Sequence, residues 1–142
     1  LTLPSSCHTA KSERLIQLSQ NITKAFGDFT GFQEQVSRDW LLAQKGIGPE
    51  SADAILCYAC YREAMVVDAY SLRLLQSLGL THHYQSAQEW LIEGLEPHRD
   101  AFLIDSRHND MALSYAWYHG LIVEYAKRHS RGKFVDASPL LA

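Results

Sequence analysis

No stretch of this 142-residue sequence is long and apolar enough to cross a membrane. Residues 1 to 9 lack the charged start and apolar run of a secretory leader. Only three cysteines are present, Cys7, Cys57 and Cys60. They make no disulfide framework, which points to a reducing compartment. Basic charge is scarce too, with 13 Lys and Arg against 16 Asp and Glu, a net charge of −3. That excludes a uniformly basic nucleic-acid-binding surface and leaves only charge segregated to one face. There is no internal repeat, no low-complexity segment and no H-x-x-x-H that would set two ring nitrogens on one helix face. A hydrophobic content of 46% suits a single globular domain over 1–142.

What is there reads as helix. Apolar residues Leu15, Ile16, Leu18, Ile22 and Phe26 predict a helix over Lys11–Phe26, after a loop over Leu1–Ala10. Thr30-Gly31-Phe32-Gln33 and Ser86-Ala87-Gln88-Glu89 have capping-box spacing and predict helices to about Val36 and Glu93, the second broken by Gly94 and Pro97. Arg99 to Ile104 is expected to be helical. A long helix capped by Asn109 or Asp110 should carry Met111, Leu113, Ala116, Trp117, Leu121, Ile122 and Tyr125 and stop near Gly132. Residues 133–142 have no period and are expected to be loose. The one extended piece is Met65-Val66-Val67. The fold class is all-α.

The organising stretch is Ser37 to Gly79. An amphipathic run, Arg38 to Gln44, leads into Lys45-Gly46-Ile47-Gly48-Pro49, where two glycines can adopt backbone angles closed to other residues. Pro49 suits the first turn of a second helix, which carries Ala52, Ile55, Leu56 and Ala59 and ends near Cys60. This is a helix-hairpin-helix unit over 37–60. Its amides at Gly46, Ile47 and Gly48, with Lys45, are expected to grip a phosphate, sometimes together with a monovalent cation held by the hairpin carbonyls. Then come Val66-Val67-Asp68 and a third helix from Ala69, with Gly79 as its C-cap.

In this order the wording QKGIGPESADAILCYACYREAMVVDAYSLRLL resembles the helix-hairpin-helix DNA glycosylases of the endonuclease III superfamily, most of all their 3-methyladenine branch. The resemblance runs from about Lys11 to Arg128. It implies part of a two-lobed helical barrel. Only 36 residues precede Ser37, fewer than the resemblance implies, so the chain reads as N-terminally incomplete, with apolar surface left uncovered. The implied activity is hydrolysis of the N-glycosidic bond of an alkylated purine in damaged double-stranded DNA, by a monomer in the cytoplasm, on the nucleoid.

The implied site residues are Asp68 as the catalytic carboxylate, Glu50 and Lys127 in the base pocket, and Lys45, Gly46, Ile47, Gly48 and Ser51 on the DNA backbone. Each has a plainer alternative. Asp68 before Ala-Tyr-Ser-Leu is a good N-cap, and one residue can do both. Glu50 is a first-turn acid favoured by the helix dipole, and Lys127 a solvated cation at a helix C-terminus. Endonuclease III itself has a lysine two residues after the second hairpin glycine, where this chain has Glu50. A carboxylate cannot form the Schiff base of a lyase, so water should be the nucleophile. No cysteine follows Cys60, and Ser130, Ala137 and Leu140 stand where three cluster ligands would be expected, so no iron–sulfur cluster is expected. The Cys57-x-x-Cys60 pair reads as small buried residues. His119 reads as a packed core residue and His82 and His83 as surface. Trp40, Trp90 and Trp117 read as core packing. Two other functions stay open: a bifunctional glycosylase with lyase activity, and a non-catalytic module that grips the DNA backbone.

Overall fold

A computed structural model describes residues 5–81, 83–102 and 110–142. Contacts divide the chain into two compact units, Leu1–Ala52 and Asp53–Ala142. Apart from one short hairpin of strands, the described residues are helical or irregular, in line with the all-α expectation.

In the first unit, helix α1 (Ser5–Phe26) starts earlier than its apolar spacing predicts. It is followed by α2 (Phe29–Gln35) and α3 (Arg38–Leu42). The cap of α2 is Asp28, whose carboxylate accepts from the Gly31 amide at 2.8 Å. The Thr30 capping box does not form, because Asp28 reaches the free amide first. Ser37 caps α3 through the Trp40 amide at 3.0 Å. Phe26, Phe32 and Trp40 meet edge to face, with Phe26 and Trp40 centroids 4.9 Å apart. Val36 and Leu41 beside them are fully buried. Leu15 and Ile16, by contrast, are 67% and 60% exposed.

Helix α4 (Pro49–Ala54) runs on as a π-helical turn, Ile55–Ala59, closed by the Cys60 amide on the Ile55 carbonyl at 3.0 Å. The turn ends on Tyr61, the one non-glycine residue with positive φ (+53°) among those described.

In the second unit the main packing is α5 (Ala69–Ser77) against α8 (Met111–His129), with α6 (Tyr84–Leu95) against α5 and α7 (Arg99–Phe102) against α8. Met65, Val66 and Val67 are almost wholly buried but form no strand, and among the described residues no neighbouring strand pairs with them. Instead the Met65 carbonyl accepts from Gln88 Nε2 at 2.7 Å, and the same amide group reaches buried Asp53 at 2.9 Å. α5 ends as expected at Gly79 (φ +73°), with Leu80 N–H on the Leu75 carbonyl and Gly79 N–H on the Gln76 carbonyl.

Several expectations need correction here. α6 begins at Tyr84, not at a Ser86 cap, and continues through Gly94. Its start is anchored by tertiary contact instead, the Tyr84 hydroxyl donating to Asp53 at 2.7 Å. Asp110 does cap α8, accepting from the Ala112 amide at 2.8 Å, whereas residues 103–109, with Asn109 and the end of the helix expected over Arg99–Ile104, lie outside the described residues. α8 stops at His129. Strands β1 (Ser130–Arg131) and β2 (Phe134–Val135) then form a hairpin about Gly132, whose φ of +65° suits the first central position of a tight turn. So 133–142, expected loose, is tied down: Val135 and Ala137 are buried and the Tyr125 hydroxyl donates to the Asp136 carbonyl at 2.8 Å. Trp90 and Trp117 are 43% and 46% exposed, so core packing holds for Trp40 alone of the three tryptophans.

Candidate active site

The hairpin in the first unit is built by short-range bonds. Gln44 N–H donates to the Leu41 carbonyl and Ile47 N–H to the Gln44 carbonyl, at 3.0 and 3.1 Å. The Ile47 amide is therefore spent inside the turn, a correction to its expected outward role. α1 braces the turn: Asn21 Nδ2 donates to Gln44 Oε1 at 2.7 Å, while Gln44 Nε2 donates to the Trp40 carbonyl. Gly46 has φ +86°, which an L side chain tolerates poorly. Gly48 has no such φ, and a Cβ there would meet nothing within 4 Å. Its glycine is not required by the chain's own conformation. Lys45, Glu50 and Ser51 are exposed, with Glu50 in the first turn of α4, where an acid suits the helix dipole.

Asp68 is in the second unit, between buried Val67 and the first turn of α5. Its Oδ1 accepts from the Ser71 amide at 2.8 Å and from the Ser71 hydroxyl at 3.0 Å. The capping reading is thus right, and it leaves Oδ2 for other work. That oxygen faces His119 Nε2 at 3.4 Å. Behind His119, its Nδ1 lies 2.6 Å from the Tyr58 hydroxyl, which is also 3.3 Å from the Ala116 carbonyl. The Asp68 and His119 side chains are only 17% and 12% exposed. The Nε2–Oδ2 approach is close but poorly directed, so buried Nε2 has no good hydrogen bond.

Burial raises the Asp68 pKa, but the donors of His119 and Ser71 outweigh it and hold the carboxyl below its ordinary value. The sign is that of a depressed acid. Asp68 is ionised at neutral pH, its stabilising contribution is present above the unfolded-state pKa, and it is lost as pH falls through the folded value. Tyr58 is pushed the other way, by burial first and then by Cys57 and Asp68, and stays a phenol at neutral pH.

Lys127 is exposed on the last turn of α8, its Nζ 5.9 Å from the centre of the Tyr70 ring. Arg73 lies 5.7 Å from the same ring. The lysine therefore stands beside the first turn of α5, two residues along from Asp68. A groove of about 610 Å³ between α5, α6 and α8 is lined by Leu74, Leu75, Trp90, Leu121 and Ile122 and does not include Asp68.

Cys57 and Cys60 are buried, as expected. The Cys57 thiol donates to the Ala112 carbonyl at 3.9 Å and is pushed up to about 11, chiefly by burial. A thiol so protonated is a poor nucleophile. Iodoacetamide at neutral pH should leave Cys57 unmodified in the folded protein and alkylate it in denaturant, with mass spectrometry as the readout. Rapid labelling of the native state would contradict this. Among the described residues no three His, Cys, Asp or Glu side chains converge to hold a metal ion.

Sequence reading missed His119 and Tyr58. The signal available was a histidine on the stripe of α8 that also carries buried Tyr115, Ile122 and Ala126. A polar residue on an inward face is informative, but nothing local says what it meets.

Residues 33–58 match the family model of the helix-hairpin-helix motif. A protein of Methanocaldococcus jannaschii assigned to the DNA repair glycosylases is 31% identical over 141 residues, covering 94% of this chain. The crystal structure of H. pylori 3-methyladenine DNA glycosylase (MagIII) bound to 1,N6-ethenoadenine superimposes with a TM-score of 0.81, at 44% identity over 91% of the chain. The chain spans 58% of the first relative's length and 61% of the second's. The hairpin, the helical fold and these relatives agree: the chain carries a helix-hairpin-helix motif, is similar in sequence to a DNA repair glycosylase, and shares the helix-hairpin-helix DNA glycosylase fold.

Proposed function

We propose that the protein is a monofunctional DNA glycosylase that hydrolyses the N-glycosidic bond of alkylated purines, such as 3-methyladenine, in double-stranded DNA. The observation that carries this reading is Asp68, a carboxylate kept ionised in a largely buried place at the head of α5. Cleavage of the bond develops positive charge on the sugar, and a fixed negative charge facing it lowers the barrier. A depressed pKa makes Asp68 a weak base. Its work is to stabilise that charge and orient a water rather than to strip the water of a proton outright. A purine alkylated at a ring nitrogen is already cationic, so its departure needs little proton donation. One carboxylate is then enough.

The remaining residues fit around this. The Gly46 and Gly48 amides, the Lys45 ammonium and the Ser51 hydroxyl grip the DNA backbone, with a monovalent cation on the hairpin carbonyls as an option of the same turn. Glu50 and Lys127 are the residues assigned to contact the base. The reaction needs no iron–sulfur cluster, and the enzyme works as a monomer on the nucleoid. The H. pylori relative supports the substrate class, being a 3-methyladenine DNA glycosylase with a modified purine bound.

The test is the product. Duplex carrying an alkylated purine should lose its base and keep an intact abasic site that breaks only in hot alkali. Borohydride should trap no covalent protein–DNA adduct, because Glu50 occupies the place of the lyase lysine and cannot form an imine. An adduct through any lysine would remove water from the role of nucleophile.

A further inference from the structure

His119 lies within reach of both Asp68 and Tyr58, and the hydrogen inventory decides which way its protons point. Tyr58 has one hydroxyl proton and two acceptors near it, His119 Nδ1 at 2.6 Å and the Ala116 carbonyl at 3.3 Å. When the imidazole is neutral, the hydroxyl donates to Nδ1 and the ring proton must sit on Nε2. When the imidazole is protonated, Nδ1–H donates to the Tyr58 oxygen and the hydroxyl turns to Ala116. Nε2 carries a proton in both states, and the acceptor it faces is Asp68 Oδ2. The opposite tautomer would set a bare lone pair against a carboxylate at 3.4 Å, with nothing else to pair it.

We propose that His119, backed by Tyr58, is the positioning residue of Asp68, its Nε2 proton holding Oδ2 while Ser71 holds Oδ1, so that the plane of the carboxylate is fixed before a substrate arrives. This rests on the reading of Asp68 as the carboxylate of the reaction. Oδ1 then has directed donors in the first turn of α5, and Oδ2 faces a proton carried by the middle of α8. A carboxylate held by one oxygen alone can swing about its bond to the chain. Preorganised charge is worth more than charge that must be oriented during the reaction. The long 3.4 Å approach suits a bond that tightens only when the site closes on substrate, as is usual without a ligand. Among the described residues the titratable groups facing His119 are Asp68 and Tyr58, and those facing Asp68 are His119 and Tyr58.

The experiment compares His119→Ala, His119→Gln and Tyr58→Phe in the intact protein. Two readouts are used: base release from alkylated duplex, and the carbon-13 titration of the Asp68 carboxyl. Glutamine reaches its amide to about where Nε2 lies and keeps a donor; alanine does not. His119→Ala should lower kcat by about 10- to 100-fold with KM little changed, the loss expected of a charge-assisted hydrogen bond. It should also move the Asp68 titration, and the acid limb of the rate profile, to higher pH. His119→Gln should recover most of both. Tyr58→Phe should leave His119 as mixed tautomers in nitrogen-15 spectra, with a smaller loss of rate. The proposal is overturned if Ala and Gln variants behave alike and the Asp68 midpoint stays where it was. The titration needs no turnover. An Asp68 variant that keeps full activity would therefore defeat the catalytic reading, while a shifted midpoint in His119→Ala would still establish the contact.

Discussion

Asp68→Asn is expected to abolish base release while leaving DNA affinity within a few-fold of the parent. Asparagine has the same size and is as good an N-cap as aspartate, so its side-chain oxygen can keep the Ser71 amide at the head of α5. The fold should survive with little change in melting temperature. What disappears is the negative charge that, in the proposed reaction, faces the developing sugar cation. Loss of one preorganised electrostatic group costs about 10²–10³ in rate. Loss of whatever help Asp68 gives to the attacking water adds up to roughly 10²–10⁴ more. The measurement is single-turnover release of an alkylated purine from duplex DNA, beside a binding titration on the same variants. A deficit confined to stability, with the folded fraction turning over normally, would reduce Asp68 to a helix cap and favour a module that only grips DNA. The pH profile carries a second check. Because the folded pKa lies below the ordinary carboxylate value, activity should hold well into mild acid and fall only as Asp68 is protonated.

What could be read from the residues alone was what short-range chemistry decides. The hairpin, the Asp68 cap and the Gly79 stop each depend on neighbours within a few residues. Glycine, proline and capping side chains announce such neighbours directly. The misreadings share a different cause. Thr30 lost the α2 cap to Asp28 because two good caps stand close together, and spacing does not rank them. Ser86 lost the start of α6 because Tyr84 gains a bond to buried Asp53, 31 residues away in the chain. Gln88, itself bonded to the same carboxylate, gives the Met65 carbonyl the donor that a neighbouring strand would have supplied. Tyr58 and His119 are 61 residues apart, and each sits in a helical stretch that looks like ordinary packing. Their meeting at Asp68 is a product of how α8 lies on the turn before it. The Ser130–Val135 hairpin had a local signal in Gly132, but Gly132 serves equally as a plain helix stop, so the strands behind it went unread.

The two hairpin glycines should fail in different ways when replaced, and the difference separates conformation from access. Gly48→Thr should leave stability within about 0.5 kcal/mol, because threonine and glycine are comparable N-caps and the φ of Gly48 is one that other residues adopt. Its new side chain would project into open space outside the chain, the space that a phosphate needs for a close approach to the amides. Duplex affinity should fall about 10-fold or more with the fold intact. Gly46→Val should lose binding and stability together. At φ +86° an L side chain costs about 1–2 kcal/mol in strain, and the new Cβ would come within 2.6 Å of the Arg14 side chain. Arg14 can move aside, so the strain is the larger part. The double variant should keep its helical circular dichroism and lose salt-sensitive, sequence-independent binding to undamaged duplex. If the altered turn also draws the Lys45 ammonium off its phosphate, the dependence of log affinity on log salt should flatten by about 0.9. A double variant that binds duplex as tightly as the parent, with the same salt slope, would mean that the hairpin is only a corner between two helices and that the DNA is held elsewhere.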